Sequence, residues 1–247
     1  VARSVVQVFA VCSDGLYSGS GTIVLDGSYV LTNAHVVTDD YGNYCALSIL
    51  AADSASELPV WIADARVIPS AYDSDVDLAV LQLVDVIGQP FLAAGRDPIE
   101  IKNVVLGLGD EIKVLGYPGL GGDMITMTGG EISGWMSAVG HIFYKSSARS
   151  GPGVSGGAAF DATTGEYVGT PSRGSTLDVG EALVLILPSN LALDLLQAAQ
   201  QADLPPTPTG PVHPLTGLPA VDGYVDLPAL VVKVGNNDSK SLPQVGL

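Results

Sequence analysis

Thr32-Asn33-Ala34-His35-Val36-Val37, Asp75-Val76-Asp77-Leu78-Ala79-Val80-Leu81 and Gly151-Pro152-Gly153-Val154-Ser155-Gly156-Gly157 decide how this chain is read. In that order they supply a histidine, an aspartate and a serine. A serine hydroxyl is a weak nucleophile at neutral pH and needs an adjacent imidazole to take its proton. The imidazole needs a carboxylate that sets its tautomer and stabilises its cation. His35 closely follows the apolar run Tyr29-Val30-Leu31-Thr32 where the chain turns, so a scaffold can hold the ring facing a cleft. Asp77 opens the run Leu78–Leu83, and an acid there can be partly buried, whereas Asp73 and Asp75 read as solvated loop charges. A lone Ser-Gly-Gly would be only a turn. Around Ser155 the glycines permit positive φ and leave N–H groups free to face an oxyanion.

With Gly19-Ser20-Gly21-Thr22-Ile23-Val24 upstream, the ordered His, Asp and Ser motifs resemble the trypsin-like serine peptidases, most like the HtrA/Deg branch. The resemblance implies an all-β fold: two six-stranded antiparallel β-barrels of the chymotrypsin type with a C-terminal helix. It also implies a serine endopeptidase with Ser155 as nucleophile, His35 as base and Asp77 as its orienting acid. Gly153 and Ser155 would donate the oxyanion-hole N–H groups. Two features depart from the pattern: Val36 stands where animal enzymes carry a cysteine, and Val154 where relatives carry Asp or Asn. Val154 removes a polar side chain that helps set the oxyanion loop. Two other readings therefore stay open: a protease-fold binding or scaffold protein, and a latent enzyme whose tail covers the cleft.

At 247 residues the chain can bury a sizeable core. Its 30 glycines and 16 prolines favour short strands and many turns. Ten basic against 26 acidic residues give a formal net charge of −16, which argues against nucleic acid and anionic membranes as partners and leaves polypeptide substrates. No apolar run reaches the ~20 residues of a membrane span, and no signal peptide is expected at Val1. No cofactor or metal is implied: Cys12, Cys45 and the three histidines lack ligand spacing, and Asp222, Asp226 and Asp238 are too scattered for a calcium loop. His141 and His213 read as ordinary surface or core residues. Two cysteines are too few to decide the redox compartment. The resemblance makes their strands neighbours, so a disulfide and two buried thiols are both open. An extracytoplasmic location follows from family habit, and assembly into an oligomer is left open.

Six strands are predicted at Ser4–Val11, Gly19–Leu25, Tyr29–Thr32, Tyr44–Ala51, Trp61–Val67 and Leu78–Leu83. Val84–Val105 reads as a connection. Six more are predicted at Glu111–Leu115, Met124–Ser133, His141–Lys145, Ala158–Asp161, Tyr167–Thr170 and Ala182–Ile186. Leu191–Ala202 reads as a helix capped by Ser189 or Asn190, whose Leu191, Leu195, Leu196 and Ala199 face the second barrel. From Leu204 the composition changes, with eight of the sixteen prolines in the last 44 residues, too few for the PDZ domain that follows in HtrA-type enzymes. Val221–Val234 can add one or two strands. The expected division is 1–90 for the barrel with His35 and Asp77, 91–203 for the barrel with Ser155 and the helix, and 204–247 for a tail or arm. By resemblance, Arg149, six before the serine, lies at the base of the substrate pocket, and Ser172 and Arg173 on one wall. With Lys145 these basic groups suggest a positive pocket for Glu or Asp near the cut, since guanidinium groups bind carboxylates through paired hydrogen bonds. A small apolar pocket for Val or Ala is the alternative.

Overall fold

Two sets of six strands form the body of the protein in a computed structural model that describes residues 1–119, 124–172 and 183–202, with the backbone of 231–234 and 238–241. The first set is β1 (Val5–Cys12), β2 (Gly15–Val24), β3 (Tyr29–Thr32), β4 (Ala46–Ala51), β5 (Val60–Asp73) and β6 (Leu78–Val84), with the short helix α1 (Ala34–Val37) after β3. These strands run in the order β1-β4-β5-β6-β3-β2, and β2 pairs back with β1 to close a barrel. Successive strand side chains point to opposite faces. Val6, Val8 and Ala10 therefore share the interior with Val30, Leu47, Ile49 and Leu81. The fifth strand was expected to end at Val67, and two residues on Pro69 lacks the N–H that a ladder needs. β5 instead continues past it to Asp73 through a register shift between Val67 and Tyr72.

The second set is β7 (Glu111–Gly116), β8 (Thr126–Ala138), β9 (His141–Ser146), β10 (Ala158–Asp161), β11 (Tyr167–Ser172) and β12 (Val184–Pro188). It closes as β10-β11-β12-β9-β8-β7 around Ile112, Val114, Ile132, Ala159, Val168 and Ile186. The expected double-barrel fold is thus present.

The helix α2 (Asn190–Gln201) follows β12. It packs chiefly against β5 and β6 of the first barrel, not the second barrel as expected. Its buried Leu196 and Ala199 join a core shared by Ile68 and Leu78 of one barrel and Phe143, Tyr167 and Leu187 of the other. An apolar stripe specifies that a face is buried, not which surface covers it. The cap also differs. Ser189 has helical dihedrals (φ −56°, ψ −31°) and makes no side-chain cap. Its Oγ accepts the Val104 N–H at 3.2 Å, giving a partner to a backbone donor of the connection. Earlier in the connection, the Arg96 guanidinium donates to the carbonyls of Arg3 (3.0 Å) and Ala52 (2.8 Å) and to Asp53 Oδ1 (3.1 Å).

Cys12 and Cys45 form a disulfide, with Cα atoms 4.5 Å apart, which decides between the two open readings. It lies at one end of the paired strands β1 and β4. Of the tail, two strands are described, β13 (Val231–Val234) and β14 (Asp238–Ser241). They pair with each other, and β13 also runs parallel to β2 with Val232 opposite Leu16. Leu204, the proline run, His213, Asp222 and Asp226 lie outside the described residues, as does Ala182 at the start of the last predicted strand. Among the described residues no helix is long and apolar enough to cross a membrane.

Candidate active site

His35 sits in α1, one turn of helix at the end of β3. Asp77 precedes β6, which pairs with β3, so the strand ladder brings the two side chains to the same end of the barrel. Asp77 has φ +62°, a left-handed conformation that aspartate tolerates better than most residues. Both carboxylate oxygens lie 2.9 Å from His35 Nδ1. An ionised carboxylate only accepts, so Nδ1 carries the proton and Nε2 is left as the acceptor. The same carboxylate accepts the His35 backbone N–H at 3.0 Å and the Ser172 hydroxyl at 2.8 Å. The Asn33 side-chain amide donates to the Asp77 carbonyl at 2.8 Å. The acid is thus held from both barrels.

The Ser155 loop is held differently. Its anchors are mostly backbone: Ser20 N–H donates to the Ser155 carbonyl (2.7 Å), and Gly156 N–H to the Pro171 carbonyl (3.0 Å). Gly156 has φ +85°, and a Cβ there would collide with the Ser20 carbonyl and Thr32 Oγ1. This close approach seats the loop against the segment leading into His35. Gly153 has φ +96°, and a Cβ on it would run into the Tyr117 carbonyl. The Pro152 carbonyl accepts the Gly119 N–H at 2.7 Å. In a trans peptide the N–H lies opposite the C=O, so the Gly153 N–H points away from Gly119. Among the described residues the N–H groups of Gly153 and Ser155 donate to no protein acceptor. No hydrogen bond joins Ser155 Oγ to His35 among them either; such contacts tighten when substrate binds.

The missing polar side chain at position 154 has a structural answer. Val154 is buried in the second barrel's core and packs against Gly116. The Ser20 hydroxyl donates to the Gly153 carbonyl at 2.7 Å and accepts the Tyr117 N–H at 2.8 Å. Ser20 was legible only as part of Gly-Ser-Gly-Thr, with nothing local to mark its hydroxyl. Of the expected pocket residues, Arg149 is exposed, and its carbonyl accepts from Thr128 Oγ1 at 2.6 Å. Lys145 lies half-buried on β9 with its stem beside Gly134. The Ser172 hydroxyl turns to Asp77. Arg173 lies outside the described residues. Half-buried His141 lines a separate groove with Trp135, Tyr144 and Leu191. Among the described residues no cluster of potential metal ligands occurs.

A family profile for the trypsin-like peptidase domain matches residues 19–169, more than half of the chain and all three motifs. The chain belongs to the trypsin-like peptidase family. It is a serine endopeptidase whose structural neighbours include HtrA-type proteases. The active form of the Rv3671c protease from M. tuberculosis is similar with TM-score 0.62 and 24% identity, over 85% of each chain. The serine endoprotease from Yersinia pestis gives TM-score 0.59 and 27% identity, over 79% of this chain and 62% of that one. The HtrA-type protease AlgW with tripeptide gives 0.62 and 24%, over 80% and 60%. The peptidase thus spans about three fifths of the last two. No curated protein sequence matches it.

Proposed function

We propose that this peptidase cleaves polypeptides through Ser155, His35 and Asp77. Ser155 Oγ attacks the scissile carbonyl as its proton passes to His35 Nε2. The new O–C bond leaves an oxyanion that the N–H groups of Gly153 and Ser155 stabilise. Collapse breaks the C–N bond, and the leaving amine takes the proton from His35. Water then hydrolyses the acyl-enzyme by the same exchange. The observation that carries this reading is the Asp77 carboxylate 2.9 Å from His35 Nδ1, which leaves Nε2 as the base. The Pro152 carbonyl, engaged by Gly119, favours an active resting loop over a latent one.

Fluorophosphonate labelling with peptide mapping tests the assignment: wild type labels at Ser155, and Ser155→Ala does not label. Labelling elsewhere, or none in folded protein, removes it. His35→Ala abolishes turnover in folded protein, and turnover kept in that variant removes His35 as the base. The exposure of Arg149 supports a preference for acidic residues near the cut, and the resemblance assigns Ser172, through its backbone, and Arg173 to the same pocket. A peptide library in which Arg149→Ala keeps the wild-type preference would overturn that. The disulfide supports an oxidising, extracytoplasmic compartment. The charge of −16 disfavours nucleic acid as a partner. The three-part division at 90 and 203 is retained on the same reading, each barrel supplying its share of the site.

A further inference from the structure

The loop Gly151-Pro152-Gly153-Val154-Ser155-Gly156-Gly157 contains no polar side chain except the nucleophile itself. It cannot fix its own peptide planes by side-chain bonds, and glycine at 153 leaves alternative backbone conformations within reach. Three successive planes are nevertheless held. The Pro152 carbonyl accepts from Gly119 N–H at 2.7 Å, the Gly153 carbonyl from Ser20 Oγ at 2.7 Å, and the Val154 carbonyl from Gly157 N–H at 3.0 Å. The first plane carries the Gly153 N–H and the third the Ser155 N–H. The middle plane joins them, and it alone of the three is held by a side chain.

The direction of that bond is determined. Tyr117 N–H can only donate, so Ser20 Oγ accepts it at 2.8 Å and its single proton goes to Gly153. The backbone of Ser20 is committed as well, its N–H to the Ser155 carbonyl at 2.7 Å and its C=O to Thr32 Oγ1 at 2.6 Å. Ser20 has no exposed surface, and its hydroxyl is packed closely enough that a Cβ on Gly116 would lie 2.9 Å from it. Removing the hydroxyl therefore leaves the Gly153 carbonyl and the Tyr117 N–H without this partner in a crowded interior.

We propose that Ser20 is the positioning residue of the oxyanion loop: its hydroxyl, oriented by the Tyr117 amide, holds the Gly153 carbonyl so that the Gly153 and Ser155 N–H groups stay aimed at the developing oxyanion. This rests on the reading of Ser155 as nucleophile. The resting site owes its geometry to a residue of the first barrel acting on a loop of the second.

Ser20→Ala tests it in the full chain. The expected result is a ~10- to 100-fold fall in kcat on a peptide amide with KM within about twofold, since only transition-state binding is lost. Affinity for a peptidyl boronate, which mimics the tetrahedral adduct, falls by the same factor. Ser20→Thr, which keeps the oxygen, recovers most of both. Should Ser20→Ala not fold, Ser20→Cys carries the comparison, its weak S–H donor lowering kcat and boronate affinity together with KM within about twofold. Wild-type kcat and boronate affinity in Ser20→Ala or Ser20→Cys, or a loss confined to Tm or KM, overturns the proposal. Fluorophosphonate labelling of wild type reads the nucleophile separately. If wild type does not label, hydrogen exchange at residues 151–157 still decides on Ser20: faster exchange in the alanine variant supports it, and unchanged exchange overturns it.

Discussion

In the first barrel, Asp77 reaches His35 with its own side chain, and both carboxylate oxygens are engaged by named donors. In the second, Ser155 is placed mostly by carbonyls and N–H groups, with glycines at the three points where another strand or loop comes too close for a Cβ. The acid–base half is side-chain chemistry, and the nucleophile half is backbone geometry apart from the Ser20 hydroxyl. The first half should therefore respond to changes of charge or hydrogen bonding that leave the fold alone. The second should respond to added bulk.

Asp77→Asn is the sharpest test on the first side. The amide puts an N–H donor where the carboxylate only accepts, which favours the wrong His35 tautomer, and kcat should drop about 10⁴-fold with the fold intact. A drop under tenfold would mean that His35 is oriented by something else. On the second side, Gly156→Ala is expected to lower kcat/KM at least ~100-fold, a loss of about 3 kcal/mol. Its control is Gly165→Ala. Gly165 also has positive φ (+73°), but nothing lies within 4 Å of a Cβ there. That control carries only the left-handed cost of about 1–2 kcal/mol in stability and leaves kcat/KM within about twofold. Equal effects of the two substitutions would break the comparison.

Ser172→Ala removes one of the bonds to Asp77 and crosses between the barrels. A ~10- to 100-fold fall in kcat is expected, the size of one hydrogen bond to a charged group. Replacing Cys12 and Cys45 by Ser together should leave kcat unchanged and lower Tm. The disulfide joins residues 33 apart, and loop-closure entropy for that span is worth about 3–4 kcal/mol. The smallest effect is on the acid limb of stability. Hydrogen bonds from the Asn43 and Ser13 side chains, with backbone bonds to the same loop, hold the Asp39 carboxyl down to about 2. A depressed carboxyl contributes stability above its unfolded value of 3.8 that is lost as pH falls from there through 2. Asp39→Asn should flatten that limb in acid melts and leave the neutral-pH rate alone. A limb unchanged in slope would show that Asp39 contributes nothing to it.

Residue order alone marked the strands and singled out His35, Asp77 and Ser155 as candidates, and the resemblance carried by those motifs implied the double barrel. Strand alternation and the glycine-flanked serine are local patterns written in adjacent residues. Asp77 was separable from Asp73 and Asp75 because an apolar strand begins at Leu78. Contacts between distant segments were not legible. Ser189 tied to Val104 and α2 against the first barrel depend on which surfaces meet after both barrels close, and Cys12 bonded to Cys45 depends on the pairing of β1 with β4. Ser20 is the clearest case, since Gly153 lies 133 positions away. A buried hydroxyl takes whatever partner the tertiary structure brings within reach, and only the docking of one barrel on the other brought the oxyanion loop to it.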